Sequence, residues 1–580
     1  MKFRWSLAPS QPLLAGQLAS QLRISPLLAQ CLLNRKLTDP GSLAAFLQPR
    51  LKHLADPFLL PDMKIAVDRL YRAREQREAV LIFGDYDVDG VTSTALLVEV
   101  LQALGWLATT YLPKRKEEGY GLTAGAVANC LRASPASILI AVDCGSTSVE
   151  TVASLQASGV DVIVLDHHLA PVPARPTAMV NPHCNPSVTN GATVPFTELC
   201  SVGIAFKLAH ALVKRGRELK LATALNFDLR PLLDLVALGT IADLVPLRGE
   251  NRILVSAGLQ AIDSTRRPGL LALKKVAGCP DPIGVSEVGF QLAPRLNAAG
   301  RLETAESALK LLLTPDPAEA LRMATEINAQ NIERQRMERA IADEAIAGIQ
   351  ASFDPLNDYV IVEGQALWHI GVVGIVAARV ARQFYRPTII VGGDGAELRG
   401  SGRSIAGFDL AAALVECSDL LVRHGGHAMA AGVSVELDKL DLFRTRLNEF
   451  ARRTLSPETL QPELCLDGEV ALEEMTLDCL QQLNDLKPVG QGNAPVAFCA
   501  SKVAHKRPLQ RMGSDKQHVK MWVTDGAATR EAVWWGAAGK ELPVAGFDLA
   551  FMPLVNEYNG ARNVQLQVLD WRPHQAPSPL

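Results

Sequence analysis

The stretch Ala79-Val-Leu-Ile-Phe-Gly-Asp-Tyr-Asp-Val-Asp-Gly90 decides the fold. The apolar run Ala79 to Phe83 reads as a strand buried on both faces, the kind found in parallel sheets. Asp85, Asp87 and Asp89 follow at alternate positions, and Gly90 opens an amphipathic segment, Val91 to Leu104, of helical length. The same pattern returns twice: Ile138-Leu-Ile-Ala-Val142 runs into Asp143, and Val160-Asp-Val-Ile-Val-Leu165 runs into Asp166-His-His168. Strands alternating with amphipathic segments predict βαβ units and a parallel sheet. Acids and imidazoles at successive strand ends then lie along the carboxyl edge, where such sheets build their sites.

A further aspartate, Asp243, ends Gly239-Thr-Ile-Ala-Asp243 on a predicted helix spanning 232–244. Taken singly, an aspartate after a strand is more often a cap or turn former. Taken together the set has a chemical meaning. On an extended chain Asp85, Asp87 and Asp89 project to one side, and lining up three like charges without a cation is costly. Carboxylates with an imidazole suit manganese or magnesium. Two such ions roughly 3.5–4 Å apart, clamping a phosphate, define a metal-dependent phosphoester hydrolase. His167 and His168 are adjacent and cannot both face one metal. His167 is expected to ligate, His168 to hydrogen-bond either a phosphate oxygen or an outer partner of the metal ligands, and Asp166 to orient its neighbours. Cys144 has no identifiable partner as a nucleophile.

The chain has 580 residues, 48% hydrophobic and 21% charged, which predicts three to four ordinary globular domains. The N-terminal residues lack a signal-peptide apolar region. No apolar run reaches about 18 residues, so no membrane segment is expected. Ten cysteines without a Cys-x-x-Cys pair exclude zinc ribbons and a disulfide framework, and predict reduced thiols in a cytoplasmic protein. Net charge is −3, yet between Ser501 and Lys520 six basic residues stand against Asp515 alone. That local sign suits a phosphate backbone.

Along the chain we expect an N-terminal helical region (1–78), a parallel-sheet catalytic domain (79–315), a polar connecting helix (316–352), a smaller α/β domain (353–455) and a small β-barrel (460–575). Asp316 and Pro317 supply the start signals of the long helix. In the smaller α/β domain, Gly400-Ser-Gly-Arg-Ser404 reads as an amide-exposing turn fit to cradle phosphate. Lys114, Arg115 and Lys116 could reach the catalytic cleft, with a solvated charge run as the alternative. Five short strands, Val496–Phe498, Val519–Val523, Ala532–Trp535, Leu549–Phe551 and Val564–Val568, carry basic and Trp side chains. They fit a barrel of the oligonucleotide-binding (OB) type.

Asp-Tyr-Asp-Val-Asp-Gly, Val-Asp-Cys-Gly, Asp-His-His and Thr-Ile-Ala-Asp-Leu-Val-Pro, in that order, resemble the four motifs of the DHH phosphoesterases. Within that superfamily the whole chain resembles the RecJ exonucleases. Supporting stretches are Asp56-Pro-Phe-Leu-Leu60, Glu118-Gly-Tyr-Gly121, Pro294-Arg-Leu-Asn-Ala-Ala-Gly-Arg301, Gly402-Arg-Ser404 with Gly407-Phe-Asp-Leu410, Gly425-Gly-His-Ala-Met-Ala-Ala-Gly432 and Leu486-Lys-Pro-Val-Gly-Gln-Gly-Asn493. The resemblance implies 5′-to-3′ degradation of single-stranded DNA to 5′-mononucleotides by two-metal-ion hydrolysis with Mn2+ or Mg2+, in repair and recombination. It implies Asp85, Asp87, Asp89, Asp143, His167 and Asp243 as ligands and His168 against the scissile phosphate. DNA contacts would come from Ser401, Arg403, Ser404 and His427, with Arg115, Arg295 and Arg301 as further phosphate contacts. Trp522 or Trp534 would stack on bases. A monomer is expected, with single-strand-binding protein and a RecQ-type helicase as partners and no membrane. Two rivals are a small-molecule or cyclic-dinucleotide DHH phosphodiesterase, and a degenerate relative that only binds DNA.

Overall fold

Five parallel strands form the sheet that carries the site: β1 (Ala79–Gly84), β2 (Leu107–Tyr111), β3 (Ile138–Val142), β4 (Asp161–Leu165) and β5 (Ala178–Val180). Their spatial order is β2-β1-β3-β4-β5, so strand order reverses between β1 and β3. A ligand site in such a sheet lies at that switch point, beyond the carboxyl ends. The computed structural model describes residues 3–119, 121–184, 196–302, 304–393, 395–544, 546–558 and 560–574. It divides into two units, one of residues 48–335 with 488–494, the other of 1–47, 336–487 and 495–580.

In the first unit the sheet ladder continues one residue past each strand. Asp85 N donates to Val142 O (3.3 Å), Asp143 N to Leu165 O (3.0 Å) and Asp166 N to Val180 O (3.3 Å). Three carboxylates are thereby set side by side on one edge. Behind them α1 (Val88–Leu104) is buried almost all round, because α2 (Ser201–Glu218) and α3 (Leu233–Ala242) cover the side that the sheet leaves open. Gly239 makes that closeness possible: a Cβ there would lie 2.4 Å from Thr92 Oγ1 and 2.7 Å from Val202 Cγ1.

One expectation is corrected here. The helix starts at Val88, not Gly90, because Asp87 is its N-cap, accepting from Asp89 N (2.9 Å) and Gly90 N (3.1 Å). Asp85, Asp87 and Asp89 are therefore not on one extended run; they occupy a strand end, a cap and a first turn. The Pro294–Arg301 stretch braces this turn, with Asn297 Oδ1 accepting from Val88 N (3.2 Å).

The long helix α4 (Pro317–Ser352) is present, with Asp316 accepting from Ala318 N (2.9 Å). Its early turns bury Ala320, Ala324 and Ile327 in the first unit's core, and its late turns bury Ile341, Ala345 and Ile349 in the second's. The second unit holds a mixed sheet of β6 (Ile361–Ala366), β7 (Thr388–Gly393), β8 (Glu397–Arg403), β9 (Leu421–Gly426) and β10 (Ala430–Glu436), ordered β9-β10-β8-β7-β6. A second correction falls here: Gly400-Ser-Gly-Arg403 is not a turn. It lies on β8, paired on both sides, so the ladder uses its amides. Its glycines serve close packing, since a Cβ on Gly400 would meet Val391 Cγ1 at 2.4 Å and one on Gly402 would meet Leu410 Cδ2 at 2.5 Å.

Strands β11 (Phe498–His505), β12 (His518–Thr524), β13 (Thr529–Trp534), β14 (Phe547–Tyr558) and β15 (Ala561–Pro573) pair in the order β11-β14-β15-β13-β12, and β12 returns to β11. The sheet is thus closed, as an OB barrel requires. β14 and β15 outrun their predicted cores because the hairpin continues past Val555 with exposed polar residues such as Glu557 and Arg562, where the apolar signal fades. Residues 4–47 share this barrel's core, Leu28, Leu32 and Phe46 packing with Phe498, Phe547 and Phe551. The α/β multidomain class with a C-terminal OB barrel is borne out. No described helix is long and apolar enough to cross a membrane.

Candidate metal centre and the family of the chain

The predicted residues of the first unit converge. Asp85, Asp87 and Asp143 form one group of ligand-type atoms within 4.8 Å of one another; Asp89, His167 and Asp243 form a second, and Asp143, His167 and His168 a third. His167 Nε2 lies 3.5 Å from Asp143 Oδ1, 3.6 Å from Asp243 Oδ2 and 4.0 Å from Asp89 Oδ2. Asp143 itself is left-handed (φ 62°), as is Leu244 (φ 60°) just after Asp243. Such backbone costs about 1–3 kcal/mol per residue and persists only where the surroundings over-determine it.

Each side chain has a distinct local brace. Both oxygens of Asp89 are held by the N-terminus of α2, accepting from Ser201 N and Val202 N at 2.8 Å each. Ser201 Oγ also donates to Asp143 Oδ1 (3.0 Å). Sequence reading missed Ser201, although a serine opening a long helix after the Asp-His-His motif was a usable signal. Asp166 accepts from the amides of His167 and His168 and from Ser146 N, and its Oδ1 sits 2.7 Å from His168 Nδ1. It orients this corner as expected.

The electrostatics follow from burial. Burial and then the Asp87 charge push Asp89 up to about 7, while burial with Asp89 and Asp87 pushes Asp243 up to about 9. Asp85 and Asp143 are raised in the same way, by burial first and neighbouring carboxylates second. Burial, with the neighbouring His168 charge, pulls His167 down to about 4. Burial opposes the charge on His168, but the Asp166 hydrogen bond and surrounding acids outweigh it and hold it at about 9. Asp85 Oδ1, His167 Nε2 and Asp243 Oδ2 are buried with no hydrogen-bond partner. Orphaned acceptors of this kind cost about 1–3 kcal/mol each. Oxygen-rich, mutually repelling and with three atoms orphaned, this donor set fits hard divalent cations.

A pH dependence follows. Above the ordinary Asp value of 3.8 the unfolded chain has shed protons that Asp89 (about 7) and Asp243 (about 9) keep when folded. Folded groups with raised values lose their stabilising advantage as pH rises through those values. Metal-free protein is therefore expected to melt lower at about pH 8.5 than at about pH 6, and Mn2+ to raise Tm more at the higher pH. Melts in EDTA and in Mn2+ check this; an equal Mn2+ shift at both values contradicts it.

The remaining predicted residues lie as follows. Arg115 sits over the Tyr86 ring (5.1 Å), and its charge acts on Asp85. Arg301 acts electrostatically on the same Tyr86. Arg295 is anchored to Asn328 Oδ1 (2.9 Å) and Gln291 O (2.6 Å). The Lys116 side chain and Tyr120 of the Glu118–Gly121 stretch lie outside the described residues. In the second unit Arg403 Nη1 donates to Ser401 Oγ (2.7 Å), Ser404 Oγ to Phe408 O (2.7 Å), and His427 N to Ala430 O (2.8 Å) at the hairpin turn after β9. Trp522 is half-buried with Arg507 and Lys520 over its ring, each at 5.2 Å. Trp534 requires a correction: strand parity turns it into the barrel core at 6% exposure, so it has no face for a base. Its neighbour Trp535, missed before, is 51% exposed. Cys144 is buried, and burial raises its thiol far above the ordinary value, which suits packing and not nucleophilic attack.

The DHH family N-terminal domain matches residues 79–240, the DHHA1 domain 357–453 and the RecJ OB domain 466–570. The single-stranded-DNA-specific exonuclease RecJ of Bacillus subtilis is 38% identical over 579 residues, covering 98% of this chain and 71% of that one. The chain belongs to the RecJ family. RecJ of Escherichia coli is 37% identical over 537 residues, covering 87% and 89% of the two chains. The crystal structure of Thermus thermophilus RecJ in complex with Mn2+ superimposes with a TM-score of 0.83 at 30% identity, over 99% of this chain and 80% of that one. A second crystal structure of the same protein is in complex with Mg2+ (TM-score 0.78, 28% identity, 99% and 79% covered).

Proposed function

We propose that this RecJ-family chain is a single-stranded-DNA-specific exonuclease. It works from the 5′ end, releases 5′-mononucleotides and serves DNA repair and recombination. The observation that carries the reading is the convergence of five aspartates and His167 on one buried pocket at the switch point. Likeness over nearly the whole chain to proteins named single-stranded-DNA-specific exonucleases gives that pocket its substrate.

Asp85, Asp87, Asp89, Asp143, His167 and Asp243 are assigned to hold two ions, Mn2+ or Mg2+. Divalent cations would acidify the attacking water and offset charge on the phosphate. His167 is neutral near pH 7 and free to ligate through Nε2. His168 stays protonated at neutral pH, held through Nδ1 by Asp166, and is assigned to stabilise a phosphate oxygen as charge develops there. Arg115, Arg295 and Arg301 are assigned to phosphates near this pocket. In the DHHA1 domain Ser401, Arg403, Ser404 and His427 are assigned to the strand's backbone. On the barrel we assign base stacking to Trp522. The five-part division (1–78, 79–315, 316–352, 353–455, 460–575) is kept as the order of parts along the chain, with the first part shared between the barrel's core (4–47) and the catalytic unit (48–78). A monomer in the cytoplasm, met by single-strand-binding protein and a RecQ-type helicase, completes the reading.

Digestion of 5′-labelled and 3′-labelled single strands, with a blunt duplex beside them, tests it. Labelled mononucleotide is expected early from the 5′-labelled strand alone. Digestion of the duplex at the same rate sinks the single-strand specificity.

A further inference from the structure

The stretch Leu486–Asn493 has no part in the chemistry above, yet residues 488–494 pack with the catalytic unit while both flanks belong to the other. This strap meets the loop that follows Asp243. Leu247 N donates to Gln491 O (2.7 Å). Gly490 and Asn493 exchange backbone hydrogen bonds (2.8 and 3.1 Å), and Asn493 Nδ2 donates to Pro488 O (2.7 Å). Arg252, buried on the helix Gly249–Asp263, donates to the same carbonyl (3.2 Å). The contact is close at both glycines and strictest at Gly492, whose backbone is left-handed. At Gly490 a Cβ would lie 2.8 Å from Leu247 Cδ1, and at Gly492 (φ 71°) it would lie 2.8 Å from Pro246 Cβ.

The same loop is gripped by Asn251, which is 1% exposed. Its Nδ2 donates both to Pro246 O (3.0 Å) and to Glu198 O. Pro246 lies three residues after Asp243, and Glu198 three before Ser201, whose amide holds Asp89. One amide side chain thus ties the loop that follows Asp243 to the loop that leads into Ser201, the residue whose amide holds Asp89.

We propose that the 488–494 strap and Asn251 are positioning residues of the metal centre, setting the Asp243 carboxylate against Asp89. The inference rests on reading those two aspartates as ligands. Left-handed Leu244 needs an over-determined setting, and the strap and Asn251 both hold the loop just after it. Ligands held by outer partners bind metal more tightly, and losing such a partner costs about 10- to 100-fold in affinity.

The test uses the full chain with Gly492→Ala and, separately, Asn251→Ser. Mn2+ binding is followed by the electron paramagnetic resonance signal of the free aqueous ion, and activity is followed against Mn2+ and DNA concentration. Each variant is expected to bind one of two ions about 10- to 100-fold more weakly, to recover activity at raised Mn2+, and to keep its KM for DNA. Gly216→Ala, whose Cβ would lie 2.5 Å from Ala224 Cβ, is the control for general destabilisation: Tm falls and Mn2+ affinity stays. If Gly492→Ala does not fold, Asn251→Ser decides. Wild-type Mn2+ affinity in the folded variants, alongside an ion lost in Asp243→Asn, overturns the strap proposal alone, as does equal weakening in Gly216→Ala. Normal binding of both ions by Asp243→Asn removes the ligand reading and the strap proposal with it.

Discussion

Asp143→Ala is expected to lower the single-turnover nuclease rate by at least about 1000-fold, some 4 kcal/mol of transition-state stabilisation. Asp143 belongs to two of the three ligand groups, so its loss weakens both halves of the centre. Stability should move the other way. In metal-free protein Asp143 is a buried acid facing Asp89, Asp87, Asp85 and Asp243, and alanine removes that repulsion at the cost of one hydrogen bond from Ser201. Melts in EDTA should therefore place the variant level with or above wild type, while Mn2+ raises its Tm less. A variant keeping more than about a tenth of the rate leaves Asp143 outside the chemistry, because 1.4 kcal/mol is too little for a shared ligand.

Lys207→Met is expected to cost about 3–5 kcal/mol of stability, the penalty for leaving one half of a buried ion pair. Lys207 is fully buried on α2; its Nζ lies 2.8 Å from Glu250 Oε1, 2.9 Å from Ala55 O and 4.8 Å from the Phe196 ring centroid. Glu250 Oε1 also accepts from Ala55 N (2.6 Å). With methionine at 207 the carboxylate remains in the core without its cation. The double variant Lys207→Met with Glu250→Gln should recover part of the loss, since no unpaired charge is left and the glutamine oxygen can still accept from Ala55. Urea unfolding of the three proteins measures this. A single variant within about 1 kcal/mol of wild type contradicts the uncompensated-charge account.

The centre was legible to an unusual degree. Strands buried on both faces show as unbroken apolar runs, and the acids that end β1, β3 and β4 stand out against them. What the linear pattern lacked was facing. Asp87 looked like a third carboxylate on a straight chain because nothing in the local pattern marks where strand gives way to helix cap. Gly400 and Gly402 looked like a loop because glycine serves turns and tight sheet packing alike. Trp534 and Trp535 were interchangeable until the barrel's pairing set which one points inward.

The amino-acid sequence alone determined the fold class, the identity of the acids and the sort of ion they suit, because burial periodicity and ligand chemistry are local properties of residues. Tertiary structure decided how those groups are held. Ser201 reaching Asp143, Asn251 reaching Glu198, and the strap at 488–494 meeting Pro246 and Leu247 all span distances along the chain at which no pattern survives. Such contacts exist only once packing has brought remote segments within hydrogen-bond range.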